Sequence, residues 1–169
     1  MQPGQSLGEV FGDVNNLLCA SNSEDMFITA FEGVLDLVTG EFVYVNAGHE
    51  PPYICRQGEN FEPYTVESGF VLAGLEDMQY RDGVVQLHAG DRVFLFTDGV
   101  PEATNASNRL YGTERLYQCL NQNKELSLEM LLQQVKTDVD EFVGEAPQFD
   151  DITMLCLEYK GCCADTPEK

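Results

Sequence analysis

The spacing of apolar positions changes period along the chain, and each change marks a different kind of element. Over residues 6–22, Leu7, Val10, Phe11, Val14, Leu17 and Leu18 recur at the three-and-four spacing of one helical face. Ser6 with Glu9 forms a capping-box pattern at the start, so an amphipathic helix is expected there. In "DMFITAFEGVLDLVTGEFVYVNAG" two runs rich in Val, Phe, Ile and Tyr flank Thr39-Gly40, which predicts a β-hairpin. Pro51-Pro52 breaks the second strand and "YICRQG" resumes a short one. Strand-like runs follow at 80–87 and 92–96, joined across Ala89-Gly90-Asp91 in a hairpin turn that leaves His88 exposed. Val93-Phe94-Leu95-Phe96, apolar at every position, has the length and composition of a buried central strand. After a polar loop, helical spacing returns at Leu116, Cys119 and Leu120. It returns again at Leu128, Leu131, Leu132, Val135, Val139 and Phe142, with Ser127 as the cap. "FDDITMLCLEY" adds one more alternating strand. The order helix, strands, helices, strand predicts an α+β layered domain without internal repeats or an interdomain linker.

Composition narrows the function classes. A chain of 169 residues suits one domain that buries roughly two thirds of its unfolded surface. Nine Lys and Arg against 29 Asp and Glu give a net charge of −20. That balance offers no basic stripe for nucleic acid and repels anionic membranes, whereas divalent cations suit it. The six cysteines show no CxxC spacing and read as reduced, cytoplasmic thiols. No apolar run approaches the ~20 residues of a membrane span, and residues 161–169 read as a disordered tail.

The central strand ends directly in Thr97-Asp98-Gly99, and the last strand begins just after Asp150-Asp151. Taken alone, an Asp-Gly pair is a common turn and an Asp-Asp pair a common start to a strand. If the two strands are neighbours, however, the carboxylates converge on a site for a hard cation such as Mg²⁺ or Mn²⁺. Gly99 then lets the backbone approach closely and turn.

Four blocks in order, "MFITAFEGVLDLVTGEFVYVNAGHEPP", "GDRVFLFTDGVPEATN", "LYGTERL" and "FDDITML", resemble the PPM-type metal-dependent Ser/Thr phosphatases. The resemblance is to the bacterial branch typified by the SpoIIE and RsbU regulators of sigma-factor pathways. It implies two packed antiparallel sheets flanked by helices, with a two-ion Mn²⁺ or Mg²⁺ centre at one edge that activates water for attack on phosphorus. It implies Asp98 and Asp150 as catalytic metal ligands, Gly99 and Asp151 at the metals, and Thr153 as a residue orienting the carboxylates. His49, in "NAGHEPP", falls where relatives outside this branch carry an acidic residue near the metals. Its plainer reading is a turn histidine held by Asn46, and that of Thr153 is an ordinary β-branched strand residue. The implied substrate is a phosphorylated STAS-type regulatory protein, with a sensor domain upstream in a longer parent chain.

The family also carries a Gly-Asp-Val-Ser-Gly type block whose Asp bridges the two metals, and it should precede the first helix. Here "GDVNN" at 12–16 falls inside that helix and is a decoy. Residues 1–160 are therefore expected to be a phosphatase domain lacking its N-terminal metal block. Such a piece should bind one ion or none, turn over little and self-associate as a homodimer. The alternative function is a non-catalytic, phosphatase-like domain that binds such a partner.

Overall fold

The computed structural model describes residues 4–148 and 150–162. Its elements run α1 (Leu7–Ser21), β1 (Ala30–Leu35), β2 (Glu41–Ala47), β3 (Tyr53–Cys55), β4 (Phe61–Pro63), β5 (Gly83–Gln86), β6 (Arg92–Phe96), α2 (Thr113–Gln122), α3 (Leu128–Val143) and β7 (Met154–Glu158). The α+β expectation holds, with two antiparallel sheets and accompanying helices. The chain divides into two compact units, one from residues 4–51 and 65–87, the other from 52–64 and 88–160.

The first unit is built on a sheet in the order β1-β2-β5. β1 and β2 form the expected hairpin, with Leu35 opposite Phe42. Its turn is tied by the Asp36 carboxylate, which accepts from Val38 N and Thr39 N at 2.8 and 2.9 Å, and is closed by Gly40 at φ 77°. Alternation along β2 sends Val43, Val45 and Ala47 to one face, where they join Leu7 and Phe11 of α1. Both bonds of the Ser6–Glu9 capping box are made. Asn15, fully buried in α1, donates to Leu75 O at 2.8 Å and accepts from Ala73 N at 2.9 Å. "GDVNN" therefore fastens a loop to the helix.

The second unit is built on a sheet in the order β4-β3-β6-β7, which makes β6 an interior strand as expected. Val93 and Phe94 are fully buried and Phe96 nearly so. α2 and α3 pack on each other, α2 against β4 and α3 against β7. Ser127 Oγ accepts from Met130 N and caps α3. Leu131, Val135 and Val139 expose nothing, and Leu132 and Phe142 are half-buried against the same core.

Two features depart from the sequence reading. The 87–91 link is not a hairpin turn, because β5 pairs with β2 while β6 pairs with β3 and β7. Its geometry is set by Asp91, 2% exposed, whose carboxylate accepts from His88 N, Gln57 N and Arg56 Nη1. Burial pushes this carboxyl up, but those hydrogen bonds outweigh it and hold the pKa below the ordinary value. His88 itself is exposed, as expected. β4 was not anticipated. Three residues are too few to show alternation, and the strand is fixed from outside by Asn121, whose amide accepts from Phe61 N and donates to Phe61 O. Most of the expected tail, residues 163–169, lies outside the described residues. No helix among the described residues is long and apolar enough to cross a membrane.

Candidate metal centre

The candidate site grows from the pairing of β6 with β7. The strands are antiparallel, so the end of β6 lies beside the start of β7, with Phe96 opposite Met154. One further bond, Thr97 N to Thr153 O at 3.0 Å, carries the pairing past the strand ends. The chain then turns: Val100 N donates to Thr97 O at 3.0 Å and Glu102 N to Asp98 O at 2.9 Å. Asp98 stands exposed on this turn while Gly99 and Val100 are buried.

Opposite it, Asp150 and Asp151 lead into β7. Asp150 Oδ1 accepts from Asp151 N at 2.7 Å, and Asp150 O accepts from Gln148 Nε2 at 2.7 Å. Thr97 Oγ1 donates to Asp151 O at 2.9 Å and accepts from Thr153 N at 3.0 Å. Gly99 lies hard against the same backbone. A Cβ there would fall 2.4 Å from Asp151 O and 3.5 Å from the carbonyl carbon of Asp150. Gly99 has no positive φ, so close approach, and not an unusual backbone angle, is what requires glycine.

The fold thus brings Asp98, Gly99, Asp150 and Asp151 together at one end of one sheet. Asp98, Asp150 and Asp151 are all exposed. Thr153 lies beside them with its N–H and C=O both engaged by Thr97. His49 belongs to the other unit, where the Asn46 amide clamps its backbone, accepting from His49 N at 2.8 Å and donating to His49 O at 2.9 Å. That is the turn arrangement of its plainer reading. Thr97 is the residue whose part was not foreseen, since a β-branched residue at a strand end reads simply as strand.

Exposed carboxylates and main-chain carbonyls are the hard oxygen donors that Mg²⁺ and Mn²⁺ prefer, so the donor chemistry fits. The donor number is short: among the described residues no three His, Cys, Asp or Glu side chains form a group able to hold an ion. An ion held there would need water, carbonyls or further carboxylates to complete its shell. Burial pushes the Cys55 and Cys119 thiols up and that of Cys156 up to about 12, so none is an appreciable thiolate near neutral pH.

Comparison with known proteins identifies a family and a fold. The family Stage II sporulation protein E (SpoIIE) matches residues 1–160. Protein IcfG of Synechocystis sp. is 30% identical over 132 residues, 78% of this chain and 20% of that protein. Phosphoserine phosphatase RsbU of Bacillus subtilis is 32% identical over 94 residues, 56% of this chain and 28% of that one. The chain therefore spans about a fifth and somewhat over a quarter of these relatives. Among solved structures, the SiaA-PP2C domain of Pseudomonas aeruginosa superposes with a TM-score of 0.77 at 20% identity, over 89% of this chain and 60% of that one. The manganese-presoaked phosphatase domain of SpoIIE from Bacillus subtilis does so with a TM-score of 0.68 at 15% identity, over 99% and 72%. At those identities the superpositions establish the fold alone.

Proposed function

The chain belongs to the SpoIIE family, and we propose that it forms the Asp98–Asp150 side of the active centre of a divalent-cation-dependent protein phosphatase. The observation that carries this reading is the backbone contact between the Thr97-Asp98-Gly99 turn and the Asp150-Asp151 segment. Sequence alone required only that each aspartate lie near a strand end. A divalent cation bound there supplies Lewis acidity, neutralising phosphoryl charge and making water a better nucleophile near neutral pH. Asp98 and Asp150 hold the ion with their carboxylates. The Gly99 carbonyl would be an additional oxygen donor, Asp151 would face the ion through water in its shell, and Thr153 keeps the loop in register. Because the three aspartates are exposed at the rim, the site admits a phosphorylated side chain still attached to a folded protein.

The substrate we assign is phosphoserine or phosphothreonine on a STAS-type regulatory protein of a sigma-factor pathway, acted on in the cytoplasm. Similarity to a phosphoserine phosphatase supports that choice. The greater length of both relatives leaves room for a sensor domain in the parent chain. A second reading, a phosphatase-like domain that binds its partner without turnover, is favoured by one observation: the described residues assemble no group of three ligands.

The test is hydrolysis of a phosphoserine peptide with millimolar Mn²⁺, by the 169-residue chain and by the chain extended with whatever its gene encodes upstream. Turnover confined to the longer form supports a site completed from elsewhere in the protein. Robust turnover by the short form removes the need for further ligands, and none by either leaves the binding role.

A further inference from the structure

We propose that Thr97 is a positioning residue for the cation site, its hydroxyl standing in the β6–β7 ladder for its own main-chain carbonyl. Where antiparallel residues face each other as a hydrogen-bonded pair, each gives its N–H to the other's C=O. Thr97 and Thr153 are the next such pair beyond Phe96 and Met154. One of the two bonds is regular, Thr97 N to Thr153 O at 3.0 Å. The reciprocal bond is not. Thr153 N donates to Thr97 Oγ1 at 3.0 Å, while Thr97 O accepts from Val100 N at 3.0 Å.

The exchange lets one residue serve two structures. The carbonyl closes the turn that carries Asp98 and Gly99, and the hydroxyl keeps the ladder joined to β7. The hydroxyl's single proton goes to Asp151 O at 2.9 Å, so both its donor and an acceptor position are used. Without it, Thr153 N–H and Asp151 C=O lose their partners together. The carbonyl of residue 97 can then satisfy the ladder only by leaving the Asp98 turn. Thr97 thereby sets the distance between the two aspartate-bearing loops, although its side chain reaches neither carboxylate.

This inference rests on Asp98 and Asp150 being cation ligands, and the experiment separates the two ideas. Mn²⁺ is titrated into the folded 169-residue chain and free ion is read by electron paramagnetic resonance, with an unfolding curve for each protein. Thr97→Val preserves shape and should weaken Mn²⁺ binding about tenfold, the lower end of what removing a supporting partner costs a metal site. Thr97→Ser restores the hydroxyl and should return the affinity to within about twofold of the original. Asp98→Asn should abolish binding. If Thr97→Val lowers only the unfolding midpoint and leaves Mn²⁺ affinity unchanged, the hydroxyl is merely structural and the proposal falls. If Thr97→Val loses affinity but Asp98→Asn keeps it, the clamp stands and Asp98 is not a ligand. Where the unaltered 169-residue chain binds no Mn²⁺, the same substitutions are read in the chain extended with what its gene encodes upstream, and absence of binding there as well overturns both. A second measurement needs no substitution. By linkage, saturating Mg²⁺ should slow amide exchange at Thr153 by up to the same factor of about ten, and an unchanged rate contradicts the clamp.

Discussion

Gly99→Ala puts the geometry of the centre to a direct test. The added methyl would sit 2.4 Å from Asp151 O, whereas carbon and carbonyl oxygen settle at about 3.3 Å or more. The Asp150-Asp151 backbone must therefore retreat by roughly 0.9 Å, enough to stretch the 2.9 Å bond from Thr97 Oγ1 beyond hydrogen-bonding range. Overpacking of this kind costs about 1–3 kcal/mol, and the lost bond about 1 kcal/mol more. Gly99→Ala should thus destabilise the chain by about 2–4 kcal/mol. Gly12→Ala is the control. In α1 the same methyl would meet Met78 O at an ordinary 3.6 Å, and Gly to Ala inside a helix should gain about 0.5–1 kcal/mol. Urea unfolding of the two variants reads both effects, and they should have opposite signs. A loss below about 0.5 kcal/mol for Gly99→Ala would show that the Asp151 segment moves freely, and a loop that yields so easily cannot hold Asp150 against Asp98.

Leu131, with no exposed surface at the centre of the α3 face, should cost about 2–5 kcal/mol on substitution by Ala, and a loss under about 1 kcal/mol in the same assay contradicts its burial. Asp138 is held below the ordinary carboxylate pKa by hydrogen bonds from Arg115, against the effect of burial, with Tyr111 O–H adding a further bond. A depressed carboxylate stabilises the fold fully above its unfolded pKa of about 3.9 and loses that contribution as pH falls through the lower folded value. The melting-temperature gap between the unaltered chain and Asp138→Asn should therefore narrow as pH drops from 6 towards 3, and a gap independent of pH refutes the assignment. In the longer parent protein, Asp98→Asn should abolish Mn²⁺-dependent turnover while shifting stability by no more than about 0.5 kcal/mol. Unchanged turnover removes Asp98 from the centre.

The helices and the principal strands were legible because each buries a periodic face and carries its own boundary chemistry. Ser6 with Glu9, Ser127, and Thr39-Gly40 are local signals, and each acts where it stands. What could not be read depended on partners distant in sequence. β4 pairs with β3, and Asn121 holds both polar groups of its first residue, Phe61, across sixty residues. The 87–91 link looks like a hairpin because Gly90-Asp91 is good turn chemistry. The strand that follows pairs with β3 and β7, and nothing local to residues 87–91 specifies those neighbours.

The candidate site divides along the same line. Asp98 and Asp150 were legible as residue types at strand ends, because a carboxylate at the tip of an apolar run needs a partner or a task. Their adjacency was not legible in the spacing and came only through the family resemblance, since it depends on β6 and β7 being neighbours. Thr97 was hidden for a further reason. Its residue type serves equally as strand filler, and only the observed exchange of hydroxyl for carbonyl gives it another task. His49 shows the converse: a histidine in a suggestive sequence position has its backbone fastened by Asn46, so position within a motif did not by itself assign chemistry. Residues that touch an ion announce themselves by type, whereas residues that hold those in place are found only by asking where each buried or ladder hydrogen bond goes. In this chain that question leads from Thr153 N–H to Thr97, and from Thr97 to the turn on which Asp98 stands.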